Sequence, residues 1–399
     1  MRFLYLFCVS LFVTLFLNLF SWGYAQSYEA QGPFRVGERD FNFTDPNLPA
    51  GNQRVPGKVF FPTTEENPAV LPNDTFPCIA FGHGFNIGYL NYRTIYRHLA
   101  SWGYIVIAPD VQNGVNVNHR TFALQLAACL RYLKQEAQKE GTFYFQKIAS
   151  ANACIGHSMG GGSSFLVPSV FDSVTAIVGL APAETNPSAI EALKANTSPI
   201  LIISGSADNT APENQHQIPM FNATPAPKLW ISLRGGAHCK FTDGSTVCDL
   251  VSSPGTITRE AQLKLTQKYV TPFLEFFLKN RNQAKAYICG DSILADSAAT
   301  RLQFSTNISC TPPTGMASAK SKTETVVCYP SIVDREINFW VAEPGALTFF
   351  DNAGKKVHEQ IIQESGLHTI SLPFIAPGVV SWLFGNGKRY ESGKIIRAN

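Results

Sequence analysis

The chain has 399 residues, enough for one large domain and a smaller one, and its 32 Lys and Arg against 29 Asp and Glu leave a net charge of only +3. No run of like charge stands out, which argues against nucleic acid as a partner. Charged residues make up 15%, well below the roughly 25% of an average soluble protein, so surface polarity falls to Asn, Ser, Thr and Gln.

Met1-Arg2 opens onto an apolar stretch over 3–20 that ends in Gly23-Tyr24-Ala25-Gln26. A charged start, an apolar run and small residues at a cleavage point read as an export signal, residues 1–25, removed after Ala25. The stretch is about long enough to span a bilayer, so an uncleaved anchor is the alternative. From 34 to 279, short β-branched or aromatic runs alternate with helical patterns. The alternation predicts an α/β fold, a mainly parallel sheet covered by helices on both faces. Strands are expected at 58–62, 78–81, 104–108, 151–155, 176–180, 200–204 and 229–233, and helices at 92–101, 120–138 and 256–278.

Of nine cysteines, Cys8 lies in the signal and the others can oxidise after export. Cys239 and Cys248 bracket a short loop and are paired; Cys289 and Cys310 bracket a second irregular segment and are paired likewise. Cys78, Cys129 and Cys154 sit in apolar runs as buried hydrophobes, and Cys328 has no evident partner. Residues 311–325 read as a linker. From 326 to 399, alternating runs punctuated by Asp351-Asn352-Ala353-Gly354, Ser365-Gly366 and Gly385-Asn386-Gly387 predict a small β-sandwich.

The strand expected to end at Ile155 runs into Gly156-His157-Ser158-Met159-Gly160, with Gly161-Gly162 and a helical pattern after it. A serine on a sharp strand-to-helix turn needs small neighbours, and the helix N-terminus adds positive potential beside it. Its hydroxyl is too weak an acid to attack an ester alone; a histidine must take the proton and a carboxylate must fix that histidine's tautomer. Asp208 and His238 follow Ser158 in the order Ser, acid, His, each just past a strand end on the edge where open α/β sheets carry their sites. Glu184 is the rival acid, and Asp208 would otherwise be a helix N-cap. His216 sits in a helical pattern, and His157 is expected to pack beneath the elbow. The substrate oxygen needs two amide donors, assigned to Met159 and to Phe85 in the turn Gly82-His83-Gly84-Phe85-Asn86. The Phe85 ring would wall the acyl site. The alternative is that Gly82 and Gly84 simply turn the chain.

These residues resemble the α/β-hydrolases that include bacterial cutinase-like polyester hydrolases, dienelactone-hydrolase-type enzymes and chlorophyllases. The likeness covers 32–310 and rests on His83-Gly84-Phe85, Leu99-Ala100-Ser101-Trp102-Gly103-Tyr104, Gly156 to Gly162, Asp208 to Pro212 and Gly235 to His238. It implies the α/β-hydrolase fold over a catalytic domain at 26–310 and a cofactor-free, metal-free serine carboxylic ester hydrolase. It further implies that Phe85 and Met159 shape the oxyanion hole, Thr210 lines the acyl site and Cys289–Cys310 matches the family's C-terminal disulfide. One departure stands out: the polyester hydrolases carry a tryptophan after the strand that follows the elbow helix, and this chain has Ala183-Glu184-Thr185-Asn186-Pro187 there. The tail, with Tyr329-Pro330, Asp351 to Gly354 and a basic end at Lys394 to Arg397, resembles the sorting domain of type IX secretion in Bacteroidota. That likeness implies outer-membrane secretion machinery as a partner; a carbohydrate- or surface-binding module is the alternative. For the whole chain, the competing readings are an idle surface-binding protein on the same fold, or a thioesterase or peptidase.

Overall fold

A long sheet of nine strands organises the first three quarters of the chain in the computed structural model, in the order β1-β2-β4-β3-β5-β6-β7-β8-β9. The structure describes residues 27–64, 70–244, 246–290, 293, 301–308 and, with short gaps, 326–397. The expected signal, the linker and Cys310 lie outside those residues. The strands are β1 (Arg35–Thr44), β2 (Arg54–Thr63), β3 (Phe76–Gly82), β4 (Ile105–Pro109), β5 (Ile148–His157), β6 (Ala176–Leu180), β7 (Ile200–Gly205), β8 (Lys228–Leu233) and β9 (Arg301–Thr306). Pairing is parallel from β4 through β3, β5, β6, β7 and β8, and antiparallel where β1 joins β2, β2 joins β4 and β9 joins β8. This is the mainly parallel α/β-hydrolase sheet expected from the sequence.

The helices are α1 (Arg93–Ser101), α2 (His119–Glu136), α3 (Met159–Leu166), α4 (Ala189–Leu193), α5 (Gln217–Ala223), α6 (Thr246–Val251) and α7 (Arg259–Lys279). Successive side chains of a strand point to opposite faces, and each face meets its own helices. Ile79 and Phe81 of β3 pack with Ile95 and Leu99 of α1 and Phe273 and Leu274 of α7. Cys78 and Ala80 of the same strand pack with Phe122 and Leu126 of α2, Phe165 of α3 and Leu193 of α4. The Asn118 side chain accepts from Thr121 N to start α2, Thr258 accepts from Ala261 N to start α7, and Asn280 ends α7 in the left-handed region at φ 56°.

Two edge strands depart from the sequence reading. The sequence pattern predicts no strand over β1, yet it pairs with β2 along its whole length, from Arg35↔Thr63 to Thr44↔Arg54. β9 lies inside the segment expected to be irregular between Cys289 and Cys310, and pairs with β8 from Leu229↔Thr306 to Leu233↔Arg301.

The tail forms two further sheets, β10-β12-β15 and β11-β17-β16-β13-β14. Their strands are β10 (Val326–Tyr329), β11 (Ile332–Val333), β12 (Glu336–Val341), β13 (Gly345–Phe350), β14 (Lys356–Ile362), β15 (Gly366–Ser371), β16 (Gly378–Gly385) and β17 (Tyr390–Arg397). All pair antiparallel except β11 with β17. Ile337, Phe339, Leu347, Phe349, Trp382 and Phe384 belong to a core of their own. The expected turn at Asp351 closes with Gly354 N donating to Asp351 O, and Gly354 takes φ +78°. Among the described residues, no helix is long and apolar enough to cross a membrane.

Candidate active site

β5 delivers Ser158 into the turn that starts α3, with φ 54° and ψ −120°. A non-glycine residue held there costs about 1–3 kcal/mol, which the surrounding backbone must offset. Ser158 N donates to Leu180 O, and Ser158 O accepts from Gly162 N and Ala183 N, each at 3.0 Å. A Cβ at Gly156 would lie 2.2 Å from Gly160 O, and one at Gly160 would lie 2.2 Å from Gly82 O. Glycine at these positions therefore lets the elbow press against its own strand and against the end of β3.

The loops after β7 and β8 bring the other two expected residues to it. His238 Nε2 lies 2.9 Å from Ser158 Oγ, and His238 Nδ1 lies 2.7 Å from Asp208 Oδ2. Asp208 Oδ1 is already occupied, accepting from Thr210 N and Ala211 N at 2.8 Å each. A carboxylate only accepts, so His238 carries its proton on Nδ1 and presents a bare Nε2 to the hydroxyl. All three residues are buried, Ser158 at the margin with 9% exposure and His238 with 2%. An imidazole held in this tautomer can accept the serine proton as the oxygen attacks a carbonyl carbon, and the neighbouring carboxylate stabilises the resulting cation.

The turn from Gly82 to Asn86 packs on the first turn of α3, since a Cβ at Gly160 would also meet His83 O at 2.5 Å. Phe85 is exposed at 43% and Met159 is buried; Asn86 takes φ 51°. Thr210 is exposed, and its hydroxyl lies 2.6 Å from Ser252 Oγ. The rival acid goes elsewhere: Glu184 Oε2 accepts from Ile190 N, and Glu184 N donates to His216 Nδ1. His216 meets neither Ser158 nor Asp208 by hydrogen bond and stands just ahead of α5. Glu213, a half-buried acid for which the sequence carries no signal, lies beside Ser204 and Ser232, and desolvation raises its pKa.

Cys239 and Cys248 form the expected disulfide. Cys289 is disulfide-bonded, and Cys310 lies outside the described residues. Cys78, Cys129 and Cys154 are free and buried; burial pushes the Cys78 thiol up to about 12, which leaves it inert as a nucleophile.

A family model described as PET hydrolase-like matches residues 28–304. The chain belongs to this family. Among curated proteins, this PET hydrolase-like chain is 28% identical over 209 residues to Cutinase est1 of Thermobifida alba, covering 52% of the chain and 64% of that relative. It is 24% identical over 262 residues to Cutinase 1 of Thermobifida cellulosilytica, covering 65% and 86%. A shorter match, 33% identical over 109 residues, covers 27% of the chain and 33% of Chlorophyllase-1, chloroplastic, of Citrus unshiu. The PET hydrolase-like chain thus spans a little under two thirds of Cutinase est1 and 54% of Cutinase est2 of the same organism.

Proposed function

We propose that this chain is a serine carboxylic ester hydrolase working through an acyl-enzyme, on polyesters or on lipid and small aliphatic esters. The observation that carries the reading is the buried sequence of bonds from Ser158 Oγ to His238 to Asp208, built on a strained strand-to-helix turn. Ser158 attacks the ester carbon while His238 takes its proton, and the tetrahedral oxyanion is met by the amides of Phe85 and Met159. His238 then returns the proton to the leaving alcohol, and water activated by the same imidazole releases the acid. The exposed Phe85 ring provides an apolar wall for the acyl group, and Thr210 lines the site beside it. Cutinase names among the relatives support ester substrates. The loop Ala183-Glu184-Thr185-Asn186-Pro187 offers no aromatic ring to stack on, which favours aliphatic over aromatic polyesters. Replacing Ser158 with Ala should abolish turnover of p-nitrophenyl butyrate and covalent labelling by a fluorophosphonate. Retained turnover would reject the assignment, and an unlabelled, inactive native chain would favour the idle surface-binding reading.

Export completes the proposal. A catalytic domain at 26–310 follows a cleaved signal, and the linker 311–325 leads to a sorting domain at 326–399 that engages outer-membrane secretion machinery, leaving the enzyme secreted or at the cell surface. Intact mass of the exported protein checks this, since a chain that still carries Met1 contradicts cleavage after Ala25.

A further inference from the structure

Two fully buried side chains outside the triad, Tyr92 and His157, join the Gly84 turn to the backbone of His238. Tyr92 stands just before α1, and its hydroxyl lies 2.9 Å from Gly84 N and 2.9 Å from His157 Nδ1. His157, the last residue of β5, places Nε2 3.0 Å from the backbone oxygen of His238. The carbonyl can only accept, so the His157 proton sits on Nε2 and Nδ1 is bare. Nδ1 then accepts from the Tyr92 hydroxyl, whose oxygen accepts from Gly84 N–H. Each donor is used once, in one direction. Burial first, and the neighbouring His238 second, hold the His157 pKa well below the ordinary imidazole range, so the ring stays neutral and the order of bonds is preserved.

The relay needs a bare α-carbon at Gly84. A Cβ there would meet Ile87 Cδ1 at 2.9 Å, His157 Nδ1 at 3.1 Å and the Tyr92 hydroxyl at 3.2 Å. On the other side of this residue, the Gly84 carbonyl accepts from Ile87 N at 3.2 Å. In a planar trans peptide the Phe85 N–H points opposite to the Gly84 carbonyl, so fixing Gly84 from both sides aims the Phe85 amide.

We propose that Tyr92 and His157 are positioning residues that lock the Gly84–Phe85 turn to the backbone of His238, so that the oxyanion donor and the general base keep one fixed separation. The proposal rests on the reading of Ser158 and His238 given above. A misplacement of about 1 Å between reacting groups can cost about 10²-fold in rate, which sets the scale of what the relay protects.

Tyr92→Phe removes one hydroxyl and keeps the ring; His157→Phe removes both nitrogens. Full-length variants are assayed on p-nitrophenyl butyrate well below the lowest melting temperature in the set. Each single variant should lose about 10- to 100-fold in kcat with KM changed by less than about threefold. The double variant should be no slower than the slower single, because one break already opens the relay. His157→Gln, which keeps an N–H donor, should recover part of the rate lost in His157→Phe. A Tyr92→Phe enzyme at the wild-type kcat, losses that multiply in the double variant, or a Gln variant no faster than Phe would each overturn the proposal. Ser158→Ala, run alongside, separates the two layers. Turnover surviving it refutes the site and the relay together, whereas turnover abolished by it with Tyr92→Phe at full rate refutes the relay alone.

Discussion

Replacing Asp208 with Asn exchanges one carboxylate oxygen for an amino group, and the surroundings dictate which one. Oδ1 accepts from the amides of Thr210 and Ala211, so the Asn carbonyl must take that place and its NH2 must face His238. Two N–H groups cannot face each other. His238 therefore moves its proton to Nε2, and an N–H now confronts Ser158 Oγ across the 2.9 Å contact. The imidazole can no longer take the serine proton. In a triad this loss is about 10⁴-fold in kcat, or ~5 kcal/mol of barrier. Steady-state kcat on p-nitrophenyl butyrate measures it, and the rate of fluorophosphonate labelling should fall in parallel while circular dichroism shows the fold retained. Glu184→Gln is the companion, expected to stay within about threefold of wild type. A kcat for Asp208→Asn within tenfold of wild type, or the large loss appearing in Glu184→Gln instead, would refute the reasoning.

Two further outcomes concern stability. His98 of α1 is buried beside Thr271 of α7, and burial lowers its pKa from 6.5 to about 4. A depressed folded pKa means the contribution is intact above the unfolded value and is lost as pH falls from 6.5 toward 4. The loss approaches about 3 kcal/mol. Urea unfolding at neutral pH and near pH 4 should show it, His98→Gln should flatten the dependence, and an unchanged slope in that variant would count against this source. Cys239–Cys248 closes a loop with a sequence separation of 9, for which the chain-entropy model gives about 2.5–3 kcal/mol. Cys239→Ser with Cys248→Ser should lose about that much in urea. Because Cys239 directly follows His238, its kcat should also decline on warming before global melting; equal stability and equal heat tolerance would contradict both expectations.

The inner strands were legible because a parallel sheet covered on both faces needs apolar side chains on both sides of each strand. Ile105–Pro109 and Ile200–Gly205 are buried throughout and read as continuous apolar runs. β1 was not, because Glu38, Arg39 and Asp40 interrupt its apolar residues, and its pairing partner supplies what its own composition does not. β9 hid for a similar reason, with Arg301, Gln303 and Ser305 between its apolar residues. Ser158, Asp208 and His238 could be proposed from strand-end placement and order alone. Choosing between Asp208 and Glu184 required distances, since both follow strands of the same sheet. Tyr92 left no chemical signal in the sequence beyond opening a helical pattern. Its partners are 8 and 65 residues away along the chain, and no local periodicity encodes such a meeting.

The glycines around the elbow also bear on how this chain can change. At Gly156, Gly160 and Gly162 an added carbon would fall within 2.2 Å of a backbone oxygen, so almost every substitution there removes folded molecules before substrate preference is tested. Innovation is channelled into exposed positions such as Asn186, Val247, Leu250 and Val251, whose side chains face solvent. A directed-evolution library that freezes the three glycines and randomises those positions should keep a far larger share of soluble members than one spread evenly over the site.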